Sequence, residues 1–190
     1  MKFPIIAYGD PILRRKATSI EPAEYPHIKQ LVEDMFETMY AARGVGLAAP
    51  QVGLSMRLFV IDAAVFADDE PKLKDFKKVF INACILEETG EEWSFNEGCL
   101  SIPDIREDVM RKPVIKMSYY DENWKHHEDT FSGMAARIIQ HEYDHIEGKL
   151  FTDKLSPLRR RLLEKKLNDI SKGIVDVEYK MKFPAVKKKR

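Results

Sequence analysis

The sequence predicts one α+β domain spanning 1–190, in which antiparallel and mixed sheets surround a central helix. Three observations carry this prediction. At 190 residues and 44% hydrophobic content the chain can build one good core, and no internal repeat marks a second domain. Apolar residues keep helical spacing in separate segments, and between them lie short runs rich in β-branched and aromatic residues.

Ile28, Leu31, Val32, Met35, Phe36 and Met39 repeat at helical intervals, so a first long helix is expected over 26–42, with Gly44 ending it. Strands are expected over 57–62, 79–87 and 114–120. Asp121, Asn123 and their neighbours can turn the last of these into a strand over 125–131. Met134, Ile138, His141 and His145 then follow spacings of four, three and four, one stripe of a helix that begins apolar and ends in imidazoles. Thr130 or Ser132 offers its N-cap and Gly148 its stop. A basic helix follows over 157–171, and Val175, Val177, Tyr179, Met181 and Phe183 alternate as a terminal strand over about 174–183. The charged stretch 68–75 reads as a surface loop, and 187–190 is a basic end.

Composition excludes several classes. The formal net charge is zero, so there is no global electrostatic case for DNA or other nucleic acid. No stretch approaches eighteen consecutive apolar residues and the start carries no signal or transit pattern, which argues against a membrane protein. Two cysteines in unlike surroundings argue for a reducing compartment, and a cytoplasmic location is expected.

The chemistry is concentrated in His141-Glu142-Tyr143-Asp144-His145. Histidines four apart stack on one helix face and can reach one metal ion, while Glu142, one residue along, can handle the proton of an activated water. A catalytic site of this kind uses three protein ligands. In an H-E-x-x-H-x-x-G-x-x-H pattern the glycine is present as Gly148, but the last histidine is replaced by Phe151. A downstream carboxylate would have to be Glu164, within a run that looks like a solvated helix face. Cys99 remains, following Gly98 and preceding Pro103 at a strand end, and a thiolate with two imidazoles suits zinc or iron. Cys84 lies in an apolar strand-like run and is expected to be a buried structural thiol.

A third segment, Gly44 to Gly53, has small residues that permit close backbone approach and one bifunctional side chain, Gln51. Together, Gly44-Val45-Gly46-Leu47-Ala48-Ala49-Pro50-Gln51, Glu97-Gly98-Cys99-Leu100-Ser101 and the histidine segment from Gln140 to Gly148 closely resemble the three motifs of peptide deformylases. The likeness extends from near residue 5 to about 165. It departs in Ile146, where leucine is usual, in the 68–75 stretch and in the tail after Lys172.

The resemblance implies a metal-dependent hydrolase that removes the formyl group from N-formylmethionyl nascent peptides. It implies one divalent ion on Cys99, His141 and His145, ferrous in the cell, with zinc, nickel or cobalt also accepted. It makes Glu142 the proton carrier, and Gln51 and the Leu100 backbone N–H the donors to the developing oxyanion. Val45, Glu97, Met134, Arg137, Ile138 and His141 would surround the methionine side chain, and the peptide main chain would pair at Val45, Gly46 and Gly98. The basic helix would contact the ribosome; a merely solvated face is the plainer reading of the same charges. Two other functions stay open at this point: an endopeptidase with a different third ligand, and a non-catalytic protein that binds N-termini.

Overall fold

The run Leu58-Phe59-Val60-Ile61 is apolar without alternation, which requires a strand covered on both faces. The computed structural model, which describes residues 1–184, shows that arrangement; the basic end 187–190 lies outside the described residues. In chain order the strands are β1 (Ile5–Ile6), β2 (Gly46–Ala48), β3 (Leu58–Asp62), β4 (Lys77–Thr89), β5 (Trp93–Cys99), β6 (Ile102–Arg111), β7 (Val114–Tyr120), β8 (His126–Ser132) and β9 (Met181–Lys182). The α-helices are α1 (Ile28–Ala41), α2 (Gly133–Ile146) and α3 (Pro157–Ser171).

β2-β3-β4-β7-β8 form one antiparallel sheet, in that order. Leu58 and Val60 of β3 pack with Val32, Met35 and Met39 of α1, whereas Phe59 and Ile61 join Ala135, Ile138 and Ile139 of α2 on the other face. Across the strands on the α2 side, Phe80 stacks on Phe59 at 4.8 Å between ring centres and lies 4.5 Å from Tyr119. Fully burying a side chain of this size contributes about 1.5–3 kcal/mol. The β5–β6 hairpin stands apart from the sheet, and a third cluster joins Ile102, Ile105 and Val109 of β6 to Leu163, Leu167 and Ile170 of α3. α2 lies against the sheet and carries the histidine segment, so the antiparallel and mixed sheets around a central helix are as expected.

Five expectations need correction. The terminal strand over 174–183 shrinks to β9, two residues paired in parallel with β1. Burial does alternate along the segment, but β1 offers only two residues to pair with. Cys84 is exposed, not buried. Asn82 adopts φ 51° and bulges β4, its side chain bonding both the N–H and the C=O of Ile20 at 2.8 Å. Ala83 thereby turns to the α2 core and Cys84 away from it. The turn that ends α1 is left-handed at Arg43 (φ 57°), with the Gly44 N–H bonding the Met39 carbonyl at 2.9 Å.

The 68–75 stretch is the fourth. It is more than a surface loop, because Leu73 is buried in the α2 core. Glu70 Oε1 accepts the Met134 N–H at 2.9 Å, capping α2 in place of the expected Thr130 or Ser132 side chain. Gly148 ends α2 as expected, in a left-handed conformation (φ 72°) pressed against the Arg14 backbone, where a side chain would collide.

Candidate active site

Two elements deliver the nitrogen and sulfur donors. α2 presents His141 and His145 one turn apart, and β5 ends at Cys99. The candidate ligand atoms of the three residues lie within 4.8 Å of one another, and Cys99 Sγ is 3.4 Å from His145 Nε2. Donors that share one ion at about 2.0–2.3 Å need such spacing. The alternatives for a third ligand fall away: Glu164 is exposed on α3, and Phe151 packs its ring against His141 at 6.1 Å.

The surroundings fit a cation. Burial opposes charge on His141, yet hydrogen bonds with Cys99 and Glu97 raise its pKa well above the ordinary value, so positive charge is favoured at this spot. Burial, with His141 beside it, pushes His145 well below its ordinary value and keeps it neutral, the form that ligates. His145 Nδ1 is buried with no hydrogen-bond partner. His141 Nδ1 bonds Glu97 Oε2 at 3.0 Å, which orients the ring and leaves Nε2 toward Cys99.

Glu97 is itself tightly held. Arg111 donates Nε and Nη2 to its two oxygens at 2.7 and 3.0 Å, and Arg137 Nη1 donates at 3.0 Å. Burial would raise this carboxyl, but the His141 and Arg111 hydrogen bonds outweigh it and hold the group far below the usual range. Arg111 continues to Asp144 Oδ2 at 2.8 Å, tying the hairpin to α2. Arg137 also donates to the Val109 and Trp93 carbonyls and lies 4.3 Å over the Trp93 ring.

Glu142 has no such partners. Desolvation pushes its carboxyl up to about 7, and Oε2 is buried without a hydrogen bond. Gly46 lies directly against it: a Cβ there would strike Glu142 Oε1, so only glycine admits this approach. A carboxyl poised near neutrality beside three metal-type donors can exchange a proton with water at ordinary pH. Gln51 is also buried, its Oε1 accepting the Ala48 N–H at 2.9 Å and its Nε2 donating to Ser101 Oγ at 3.2 Å, 3.4 Å from Cys99 Sγ.

An open cavity of about 490 Å³ adjoins these groups. Each residue expected around the substrate lines it: Val45, Gly46, Glu97, Gly98, Met134, Arg137 and Ile138. Gln51, Cys99, Leu100, His141 and Glu142 also reach it, while His145 stands behind. Sequence reasoning missed Phe66 and Phe95 in the wall and Arg111 and Asp144 behind it. Arg111 had a readable signal: it falls on the same side of β6 as the buried Ile105 and Val109, and a buried guanidinium demands a buried anion. Phe66 had none, since it sits beside the stretch taken as a loop.

Comparison with known proteins accords with the geometry. The family model described as polypeptide deformylase matches residues 2–161. The chain belongs to the peptide deformylase family. The peptide deformylases of Christiangramia forsetii and Flavobacterium johnsoniae are 61% and 57% identical to it over 197 aligned positions, covering the whole of both chains in each case. Among solved structures, the peptide deformylase of Thermus thermophilus matches with a TM-score of 0.80 at 40% identity, covering 90% of this chain and 98% of that one. A Plasmodium falciparum peptide deformylase in complex with inhibitor matches with a TM-score of 0.76 at 36% identity, covering 88% and 99%. The family resemblance, the α+β fold and the hydrolase function are thus borne out: peptide deformylases are metal-dependent and remove the formyl group from the N-terminal methionine of nascent proteins. Among the described residues no helix is long and apolar enough to cross a membrane.

Proposed function

We propose that Cys99, His141 and His145 hold a single divalent ion, ferrous in the cell, and that the whole chain, 1–190, works as one cytoplasmic catalytic domain on formyl-methionyl nascent peptides. The convergence of these three donors beside the unpartnered Glu142 carboxyl is the observation that supports the reading. Zinc, nickel or cobalt suits the same donors, and the ferrous assignment follows the family. When bound, such an ion supplies Lewis acidity and brings the pKa of a water at its open position toward neutrality.

Glu142 takes the proton of the attacking water and returns it to the leaving amine. Gln51 Nε2 and the Leu100 N–H donate to the oxygen of the formyl group as it gains charge, each donor contributing about 3 kcal/mol in the transition state. The methionine side chain occupies the slot walled by Val45, Met134 and Ile138, with the Glu97–Arg137 pair and His141 at its back. The peptide main chain pairs along Val45, Gly46 and Gly98, which reads backbone and leaves later side chains largely free.

Metal analysis of anaerobically purified protein, with formate release from a formyl-Met peptide in the same sample, tests the reading. Cys99→Ala should lose metal and activity while Cys84→Ala keeps both; equal effects of the two changes would sink the ligand assignment.

Ribosome contact through α3 is a second, separable part of the proposal. Arg160, Arg161, Lys165 and Lys166 are exposed beside Leu158 and Leu162, whereas Arg159 is engaged by Glu107 at 2.5 and 3.1 Å. Charge reversal at Arg160 and Lys166 should weaken ribosome binding at low salt and leave hydrolysis of a short free peptide unchanged. Unaltered ribosome affinity would leave these charges as solvated surface.

A further inference from the structure

The segment after α3 lies beyond the 2–161 family match, and no step above uses it. It nevertheless returns to the turn that carries Cys99. That turn is irregular: pairing of β5 with β6 jumps from Gly98 opposite Arg106 to Cys99 opposite Ile102, so a regular ladder does not fix its backbone. Three regions distant in sequence hold it instead. Tyr179 donates its hydroxyl to the Leu100 carbonyl at 2.8 Å, the Tyr8 N–H donates to the Ser101 carbonyl at 2.8 Å, and Gln51 donates to Ser101 Oγ at 3.2 Å.

Tyr179 is in turn well anchored. The Ile5 N–H bonds the Lys180 carbonyl at 2.8 Å and the Ala7 N–H bonds the Lys182 carbonyl at 2.9 Å, so the segment is stitched to the strand next to Tyr8. The Tyr179 ring packs against the α1 core, and Met181 bridges that core to the α3 core. A ring held on both sides offers its hydroxyl to Leu100 at little further entropic cost.

We infer that Tyr179 is a positioning residue for the Cys99–Leu100 turn, and so for the aim of the Leu100 N–H at the substrate oxygen. This rests on the roles proposed above for Cys99 and Leu100. Fixing the Leu100 carbonyl fixes the plane of the peptide that follows, and the residue's own N–H has less room to tilt. A donor that acts on charge developed only in the transition state affects turnover more than substrate binding.

The test is Tyr179→Phe in the full-length metal-loaded protein. Losing one such hydrogen bond should lower kcat by about five- to tenfold, with KM within about twofold. Metal content should match the parent, and the melting temperature should fall by no more than about 2–4 °C, leaving the variant fully folded at the assay temperature. Tyr119→Phe removes a hydroxyl bonded to Asp129 at 2.7 Å outside the site and should leave kcat unchanged. An unaltered kcat in Tyr179→Phe, or a fall in kcat accounted for by lost metal or by unfolding at the assay temperature, overturns the positioning role. Cys99→Ala in the same assay separates the two readings: metal retained there defeats the ligand assignment, whereas metal lost there with Tyr179→Phe silent defeats only the inference about Tyr179.

Discussion

Glu97 and Glu142 line the same cavity and are equally buried, each 4% exposed, yet their carboxyls are driven in opposite directions. Around Glu97, two guanidinium groups and an imidazole saturate the oxygens and hold the charge in place. Around Glu142 nothing donates to Oε2, and burial pushes the group up to about 7. Burial alone therefore does not decide ionisation; the count of donors does. Under the proposed mechanism the same residue type serves as a fixed anion that aims a ligand ring in one place and as a proton carrier in the other.

The largest expected effect is on turnover. Glu142→Gln should lower kcat by about a hundredfold or more, since general acid–base catalysis contributes at least that much, while metal content stays near one per chain. Residual activity above about a tenth would remove Glu142 from the chemistry and with it the functional half of the contrast.

Glu97→Gln should act differently, through the fold and the ligand. Leaving Arg111 and Arg137 without their anion should destabilise the protein by about 3–5 kcal/mol, read by urea unfolding. Loosening His141 should weaken metal binding by about 10–100-fold. A variant as stable as the parent would mean that the Arg–Glu cluster is not held as described.

The smallest effect has the more diagnostic sign. In metal-free protein, the raised Glu142 carboxyl holds its proton longer folded than unfolded. Its contribution is therefore most favourable below its ordinary value of 4.5 and declines as pH rises toward about 7. Glu142→Gln should remove that decline, making the metal-free chain more stable than the parent at pH 8 by about 3 kcal/mol. Glu97, with its value lowered, stabilises above the ordinary carboxyl range and loses that only as pH falls through the depressed value, so Glu97→Gln should be the less stable variant at pH 8. Shifts of the same sign in the two variants would break the comparison.

Much of this arrangement was legible in the sequence, and the gaps have physical causes. β3, β7 and α2 were plain because apolar runs and helical stripes report burial directly. Of the β5–β6 hairpin only the strand end at Cys99 was expected, because Glu97 and Arg111 occupy its inward side; a buried ion pair reads as two solvent-facing charges until its halves are brought together. Cys84 was misplaced because a bulge at Asn82 inverts the side chains from Ala83 to Ile85, before a second irregularity follows. Glu70 was hidden because its role as a cap spans 64 residues, and no local pattern encodes so distant a bond. The three donors were readable from motifs, whereas Tyr179 lay in a segment whose alternation suggested only a strand.

Cys99 reaches the histidines through the docking of the β5–β6 hairpin on α2, an interface tied in part by Arg111 to Asp144. An unfolded chain offers no such preassembled donor set, so an ion bound here draws on the same equilibrium that folds the protein. At a free ion concentration a hundred times the dissociation constant, occupancy would add about 2.7 kcal/mol to folding stability. Metal supply in the cell would then govern how much of this chain stays folded as well as how fast it works.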